Sequence, residues 1–181
     1  DFCLSRGLGD VYKRQDLDGT LIETLSGDTF PKGIWDMKLK LYVFEAIKNY
    51  APDDILIISN QGGIEKGFVD KEMFEYKFDY ISSALEDYTN ISVYNFYCDN
   101  NDKDNINRKP NTGMIDQYMD YIKFINDNVD EENKIIYDTI MMIGDASGKE
   151  GQFSDSDKKT AENFGCEYMD VDDFVYKYNN R

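Results

Sequence analysis

The sequence predicts an α/β fold: a parallel sheet with helices on both faces. Three observations point there. Short continuous apolar runs read as strands buried on both sides. Amphipathic helical periods separate them, and strands alternating with helices give a parallel sheet. Polar, chemistry-bearing residues close the strands, and in open α/β sheets the site lies beyond the carboxyl ends of the strands.

The elements follow in order. Residues 54–59 (Asp-Ile-Leu-Ile-Ile-Ser) form the clearest strand, 91–97 are β-branched and aromatic, 139–143 (Thr-Ile-Met-Met-Ile) are a third strand and 166–169 a weak fourth. Leu39, Val43, Ala46, Ile47 and Tyr50 share one helical face. Met73, Phe74, Phe78, Ile81 and Leu85 share a second, on which Lys77 is the polar exception. Met114, Tyr118, Tyr121, Ile122 and Ile125 mark a third helix, and 156–164 a shorter fourth. Two polar loops, 99–107 and 127–133, contain much Asn and Asp.

Composition narrows the function. The chain has 181 residues, enough for one domain with a core. Lys+Arg total 20 against 36 Asp+Glu, a formal charge of −16. No broad basic face is available to coat a duplex or an anionic membrane. No apolar run is long enough to span a bilayer. With His absent, His-based triads, His zinc ligands and imidazole acid/base chemistry are excluded. Cys3, Cys98 and Cys166 form no CxxC pair. With no signal peptide visible, the expected compartment is the reducing cytoplasm or nucleus.

Residues 5–15 (Ser-Arg-Gly-Leu-Gly-Asp-Val-Tyr-Lys-Arg-Gln) resemble a translated sequencing adapter. On that reading residues 1–15 are a non-native scar and 16–181 are the domain, its first strand truncated. The place of that strand falls to Val11-Tyr12-Lys13-Arg14-Gln15, of which only Val11 and Tyr12 suit a buried position.

Four strand ends could build one phosphate site. The first is Asp16-Leu17-Asp18-Gly19-Thr20-Leu21. Carboxylates at i and i+2 leave an extended strand on the same side, so one can attack phosphorus while the other protonates the leaving alkoxide. An isolated Asp-x-Asp is more often a loop or a calcium ligand; the whole hexapeptide is a far stronger signal. The second is Ser59-Asn60-Gln61-Gly62-Gly63, a hydroxyl and flexible amides able to hold a phosphoryl oxygen. The third is Arg108-Lys109-Pro110, with Pro110 expected to open a helix and Lys109 to sit near its positive end. The fourth is Gly144-Asp145-Ala146, whose carboxylate suits a hard cation or a helix N-cap.

In this order the segments resemble the haloacid dehalogenase (HAD) superfamily of aspartate-dependent phosphatases. Ser26-Gly27-Asp28-Thr29-Phe30-Pro31, Ile64-Glu65-Lys66-Gly67, Arg108-Lys109-Pro110-Asn111-Thr112-Gly113-Met114, Gly144-Asp145-Ala146-Ser147-Gly148 and Phe153-Ser154-Asp155-Ser156-Asp157 are similar to the polynucleotide kinase 3′-phosphatase family. The resemblance runs from Asp16 to about Phe174. It departs from the family in Ser59, where Thr is frequent, and in Trp35, which precedes Asp36 rather than following an Asp.

The resemblance implies a Rossmann-like HAD fold and a two-step transfer through an aspartyl-phosphate. Asp16 would be the nucleophile and Asp18 the general acid, then base. Ser59 and the Asn60 amide would hold a phosphoryl oxygen, and Lys109 would neutralise charge. Mg²⁺ would meet Asp16, the Asp18 carbonyl and Asp145. Asp157 would anchor Lys109 or a metal-bound water. Between Asp18 and Ser59 there is room for a flap (24–36) and one helix, and between Ser59 and Lys109 for one helix, one strand and a loop, so the fold is expected to be capless. An open site suits a DNA strand end carrying a 3′-phosphate. Lys32, Lys66 and Arg108 would form a basic island for it, and Phe30, Trp35 and Phe68 are placed to stack on a base or sugar. The chain is expected to be monomeric and to have no membrane partner. It lacks GxxxxGK[ST], so no kinase site is expected in it. A capless small-molecule phosphatase, of the histidinol-phosphate or heptose-bisphosphate type, and an inactive HAD interaction module are the alternatives. The missing Cys/His zinc loop counts against the former, and the intact site residues against the latter.

Overall fold

The computed structural model describes residues 2–4, 11–12, 14–15, 17–27, 31, 33–137, 139–152 and 154–180. Its centre is β6 (Asp54–Asn60) and β8 (Thr139–Gly144). β6 pairs in parallel with β7 (Ser92–Cys98), from Asp54↔Ser92 to Asn60↔Cys98. β8 pairs in parallel with β9 (Glu167–Asp170). The N-terminal strands lie between them. β2 (Val11–Tyr12) runs parallel to β8, and β3 (Arg14–Gln15) runs parallel to β6. β1 (Phe2–Leu4) runs antiparallel to both β6 and β8; the other pairings of this sheet are parallel, as expected.

Alternation along the central strands feeds two cores. Ile55 and Ile57 of β6, with Met141 and Ile143 of β8, face α1 (Leu41–Tyr50), α2 (Lys71–Thr89) and α5 (Val171–Asn179) through Phe44, Ile47, Phe78, Ile81 and Phe174. Leu56, Ile58 and Met142 face α3 (Gly113–Asn126) and α4 (Ser156–Phe164) through Met114, Tyr118, Ile122 and Ala161. Successive strand side chains point to opposite faces, so a strand buried on both sides is apolar throughout. Helices therefore cover both faces.

Two expectations need correction. Leu39 belongs to a strand, not to the first helix. A hairpin of β4 (Ile22–Thr24) and β5 (Met37–Leu39) takes it, with Ile22 opposite Leu39. Pro110 does not open α3, which begins at Gly113 after Thr112; the Lys109–Pro110 peptide bond is cis and lies in the preceding turn. α5, not expected from the sequence, packs Val171, Phe174 and Tyr178 inward.

No described helix is long and apolar enough to cross a membrane. Cys98 and Cys166 are free thiols, and burial pushes the Cys98 thiol above its ordinary value, which disfavours a reactive thiolate.

Candidate active site

Motif one turns directly after β3. Leu17 and Leu21 are fully buried and anchor the turn, with the Leu21 amide donating to the Leu17 carbonyl at 3.2 Å. Gly19 has φ +92°, a conformation that L side chains resist. A Cβ on it would stand 2.0 Å from Asp145 Oδ2, so only glycine lets the turn approach that carboxylate. Buried Thr20 donates its hydroxyl to Asp145 Oδ1 at 3.2 Å, and Lys40 Nζ donates to the Gly19 carbonyl.

Two hydrogen-bonded groups form at the carboxyl ends of β6 and β8. In the first, Gln61 Nε2 donates to Asp18 Oδ2 at 3.0 Å and to Ser59 Oγ at 2.8 Å. Lys77 Nζ lies 3.1 Å from Asp18 Oδ1, both side chains largely buried. In the second, Asn60 brackets the Lys109 backbone: its Oδ1 accepts from the Lys109 amide at 2.9 Å and its Nδ2 donates to the Lys109 carbonyl at 3.0 Å. Lys109 Nζ then reaches Asp157 Oδ1 at 3.0 Å, and the Ala146 amide donates to Asp157 Oδ2 at 3.0 Å.

Lys109 lies four residues before α3, and its ammonium meets Asp157 in the first turn of α4. Asp157 was expected to anchor Lys109 or to serve the metal. One of its oxygens meets Lys109 and the other a backbone amide. Gly144 is needed for this, because a Cβ there would stand 2.2 Å from Asp157 Oδ2.

The structure thus brings Asp18, Ser59, Asn60, Lys109, Asp145 and Asp157 to one end of the sheet. Asp16, Lys32 and Phe30 lie outside the described residues. Lys66 is exposed in the turn after Gly63, and Arg108 is half-buried, its guanidinium donating to the Asn100 carbonyl at 3.0 Å. The loops that carry these cations touch through the Asn101 amide and Glu65 Oε2, 2.7 Å apart. Trp35 and Phe68 are exposed. Asp36 is buried and accepts both the amide and the hydroxyl of Ser26, so it closes the flap hairpin.

Sequence reasoning assigned no role to Gln61, Lys77, Thr20 or Lys40. The one signal was Lys77, a cation on an otherwise apolar helical stripe. Chemically, the arrangement offers a carboxyl held by two donors, a buried hydroxyl, a fixed ammonium and a carboxylate beside a backbone turn. Those are the groups a phosphoryl-transfer site uses.

Comparison with known proteins is decided by one match. Residues 13–175 match the model of the polynucleotide kinase 3 phosphatase family. The chain belongs to that family. Within it, a bifunctional polynucleotide phosphatase/kinase of Schizosaccharomyces pombe is 32% identical over 168 residues, covering 88% of this chain and 36% of the relative. The chain therefore spans about a third of that relative's length. A D-glycero-D-manno-heptose-1,7-bisphosphate 7-phosphatase assigned in Thermoplasma volcanium is 24% identical over 113 residues, covering 61% of this chain and 70% of the relative. Among solved structures, a D,D-heptose 1,7-bisphosphate phosphatase from B. bronchiseptica, complexed with magnesium and phosphate, aligns with TM-score 0.54 at 18% identity, covering 94% of this chain and 98% of the other. The family member described here shares the α/β fold of that solved structure.

Proposed function

We propose that this phosphatase removes the 3′-phosphate from DNA strand ends through an aspartyl-phosphate. The family match over residues 13–175 carries the reading. The exposed Lys66 and half-buried Arg108, on loops that touch through Asn101 and Glu65, support it, because a strand end carries backbone phosphates that such cations attract.

In the first step an Asp16 carboxylate oxygen bonds to phosphorus, the bond from phosphorus to the sugar oxygen breaks, and Asp18 gives its proton to the leaving oxygen. In the second, Asp18 takes a proton from water, which attacks phosphorus and frees Asp16. The Ser59 hydroxyl, oriented by Gln61, holds a phosphoryl oxygen. The Lys109 ammonium, aimed by Asp157, offsets charge on the phosphoryl group.

Magnesium fits the residues present. Asp145 lies against the Gly19–Thr20 turn, where a Cβ on Gly19 would meet its Oδ2, and carboxylate oxygens are the hard donors that magnesium takes. Asp16, the Asp18 carbonyl and Asp145 would hold it, and it would supply charge neutralisation on the phosphoryl oxygens. Lys66 and Arg108, with Lys32, hold the strand end electrostatically, and Trp35 and Phe68 offer stacking surfaces. The nucleus or cytoplasm is the compartment that suits this activity.

Phosphate release is measured from a nicked duplex bearing a 3′-phosphate, from a 5′-phosphorylated end, from heptose bisphosphate and from histidinol phosphate, with Mg²⁺ and with EDTA. Preference for the 3′-phosphate, lost in EDTA, is expected. Higher kcat/KM on either metabolite overturns the nucleic-acid reading, and full activity in EDTA overturns the metal assignment.

A further inference from the structure

We infer that Lys77 is a positioning residue for the reaction: with Gln61 it fixes the Asp18 carboxyl in the orientation from which the proton reaches the leaving oxygen. The inference rests on the proposed acid role of Asp18 and adds the residue that holds it.

The helix itself gives the first argument. Phe74, Phe78, Ile81 and Leu85 form the buried stripe of α2, and Lys77 falls on that stripe. A leucine or methionine could fill such a position without desolvating a charge. A buried ammonium costs several kcal/mol unless it is paired.

The surroundings of the ammonium give the second. It lies 3.1 Å from Asp18 Oδ1 and 5.4 Å from the centroid of the Phe74 ring. An aromatic face attracts a cation and fixes where it sits. Gln61 Nε2 takes the other oxygen, Asp18 Oδ2, at 3.0 Å. Each carboxyl oxygen therefore has its own donor, so the plane of the group is set from both sides. The same Gln61 nitrogen holds Ser59 Oγ at 2.8 Å, which registers the carboxyl against the hydroxyl assigned to the phosphoryl group.

The first step shows why orientation matters. As Asp16 bonds to phosphorus, the electron pair of the breaking ester bond passes to the leaving oxygen, which takes the proton of Asp18. Asp18 is left as a carboxylate facing Lys77. A sugar alkoxide is too basic to leave without that proton. A p-nitrophenolate leaves without it. Loss of orientation should therefore be felt by the sugar ester and barely by the aryl ester, a distinction that loss of packing would not make.

The test compares kcat/KM, which reports steps through the first bond cleavage, for a 3′-phosphorylated oligonucleotide and for p-nitrophenyl phosphate. Lys77→Met is expected to lower the oligonucleotide value by about 100-fold and the aryl value by less than about 5-fold. Lys77→Arg should recover part of the loss. Melting temperatures are taken for each, and Lys77→Gln serves if the methionine variant does not fold. An equal loss on both substrates, or no loss on either, makes Lys77 a structural ion pair and overturns the inference alone. Asp18→Asn is run alongside. If it fails to separate the two substrates, the acid role of Asp18 falls and takes the inference with it.

Discussion

Lys109 Nζ and Asp157 Oδ1 lie 3.0 Å apart with side-chain exposures of 1% and 0%, sealing a full charge pair between the 99–112 loop and the first turn of α4. Breaking a buried pair by removing one partner leaves an uncompensated charge, which costs about 3–5 kcal/mol. Asp157→Ala is expected to lose about that much in urea unfolding and to lose turnover, since the ammonium loses its aim. Lys109→Met should be equally inactive. A stability loss below about 1 kcal/mol in Asp157→Ala would show that the pair is not sealed.

Gly19 sets the approach of motif one to Asp145. A methyl group there meets Asp145 Oδ2 at 2.0 Å and must also adopt φ +92°. Backbone strain of this kind costs about 1–3 kcal/mol. Gly19→Ala is expected to fold, to need at least about tenfold more Mg²⁺ for half-maximal activity and to release phosphate more slowly. An unchanged Mg²⁺ titration would remove Asp145 from the metal assignment.

Asp170 ends β9 and caps α5, accepting from the Asp172 amide at 3.2 Å. Burial pushes its carboxyl up, but hydrogen bonds from Gln152, Lys149, the Asp172 amide and Ser147 outweigh this and hold it below its ordinary value. A group depressed in the folded state adds stability that is present above its unfolded value. That stability is lost as the pH falls through the folded value. Asp170→Asn should cost about 1–2 kcal/mol at pH 7 and progressively less below about pH 4. A cost that stays constant from pH 7 to pH 3 would contradict this.

β3 places Arg14 and Gln15 beside Leu56 and Ile57 of the central strand β6. Central strands of such sheets are apolar on both faces. Replacing residues 1–15 with a methionine and a short Val/Ile strand is expected to raise the melting temperature by about 5 °C or more. Equal melting temperatures would show that residues 1–15 already serve as the native strand.

The parts of the fold that rest on contiguous apolar runs were legible. The strands at 54–59 and 139–143 each needed one more residue, Asn60 and Gly144. The helix at 156–164 stands as expected. The β4–β5 hairpin was not legible, because three-residue strands give too little alternation to separate Leu39 from a helical face. α5 was missed although Val171, Phe174 and Tyr178 keep helical spacing; a nine-residue element shows that stripe only once. In the site, residue types and order were readable, and the Lys109–Asp157 pairing was among the expectations, but the partners of Asp18 were not. Lys77 stood out on its helix, yet its partner lies 59 positions earlier. Only the folded sheet brings the two together.

The bracket that Asn60 places on the Lys109 backbone has a kinetic consequence. Both hydrogen-bonding groups of that peptide segment are already taken by one side chain at the end of β6. On the proposed function the segment that carries Lys109 is thus ordered before any substrate arrives, and binding should spend little on ordering it. Enzymes that fold a lid over their substrate slow down as solvent thickens, because closure and reopening displace solvent. If the proposed site works through this fixed segment, turnover should run at nearly the same speed in buffer and in concentrated sucrose.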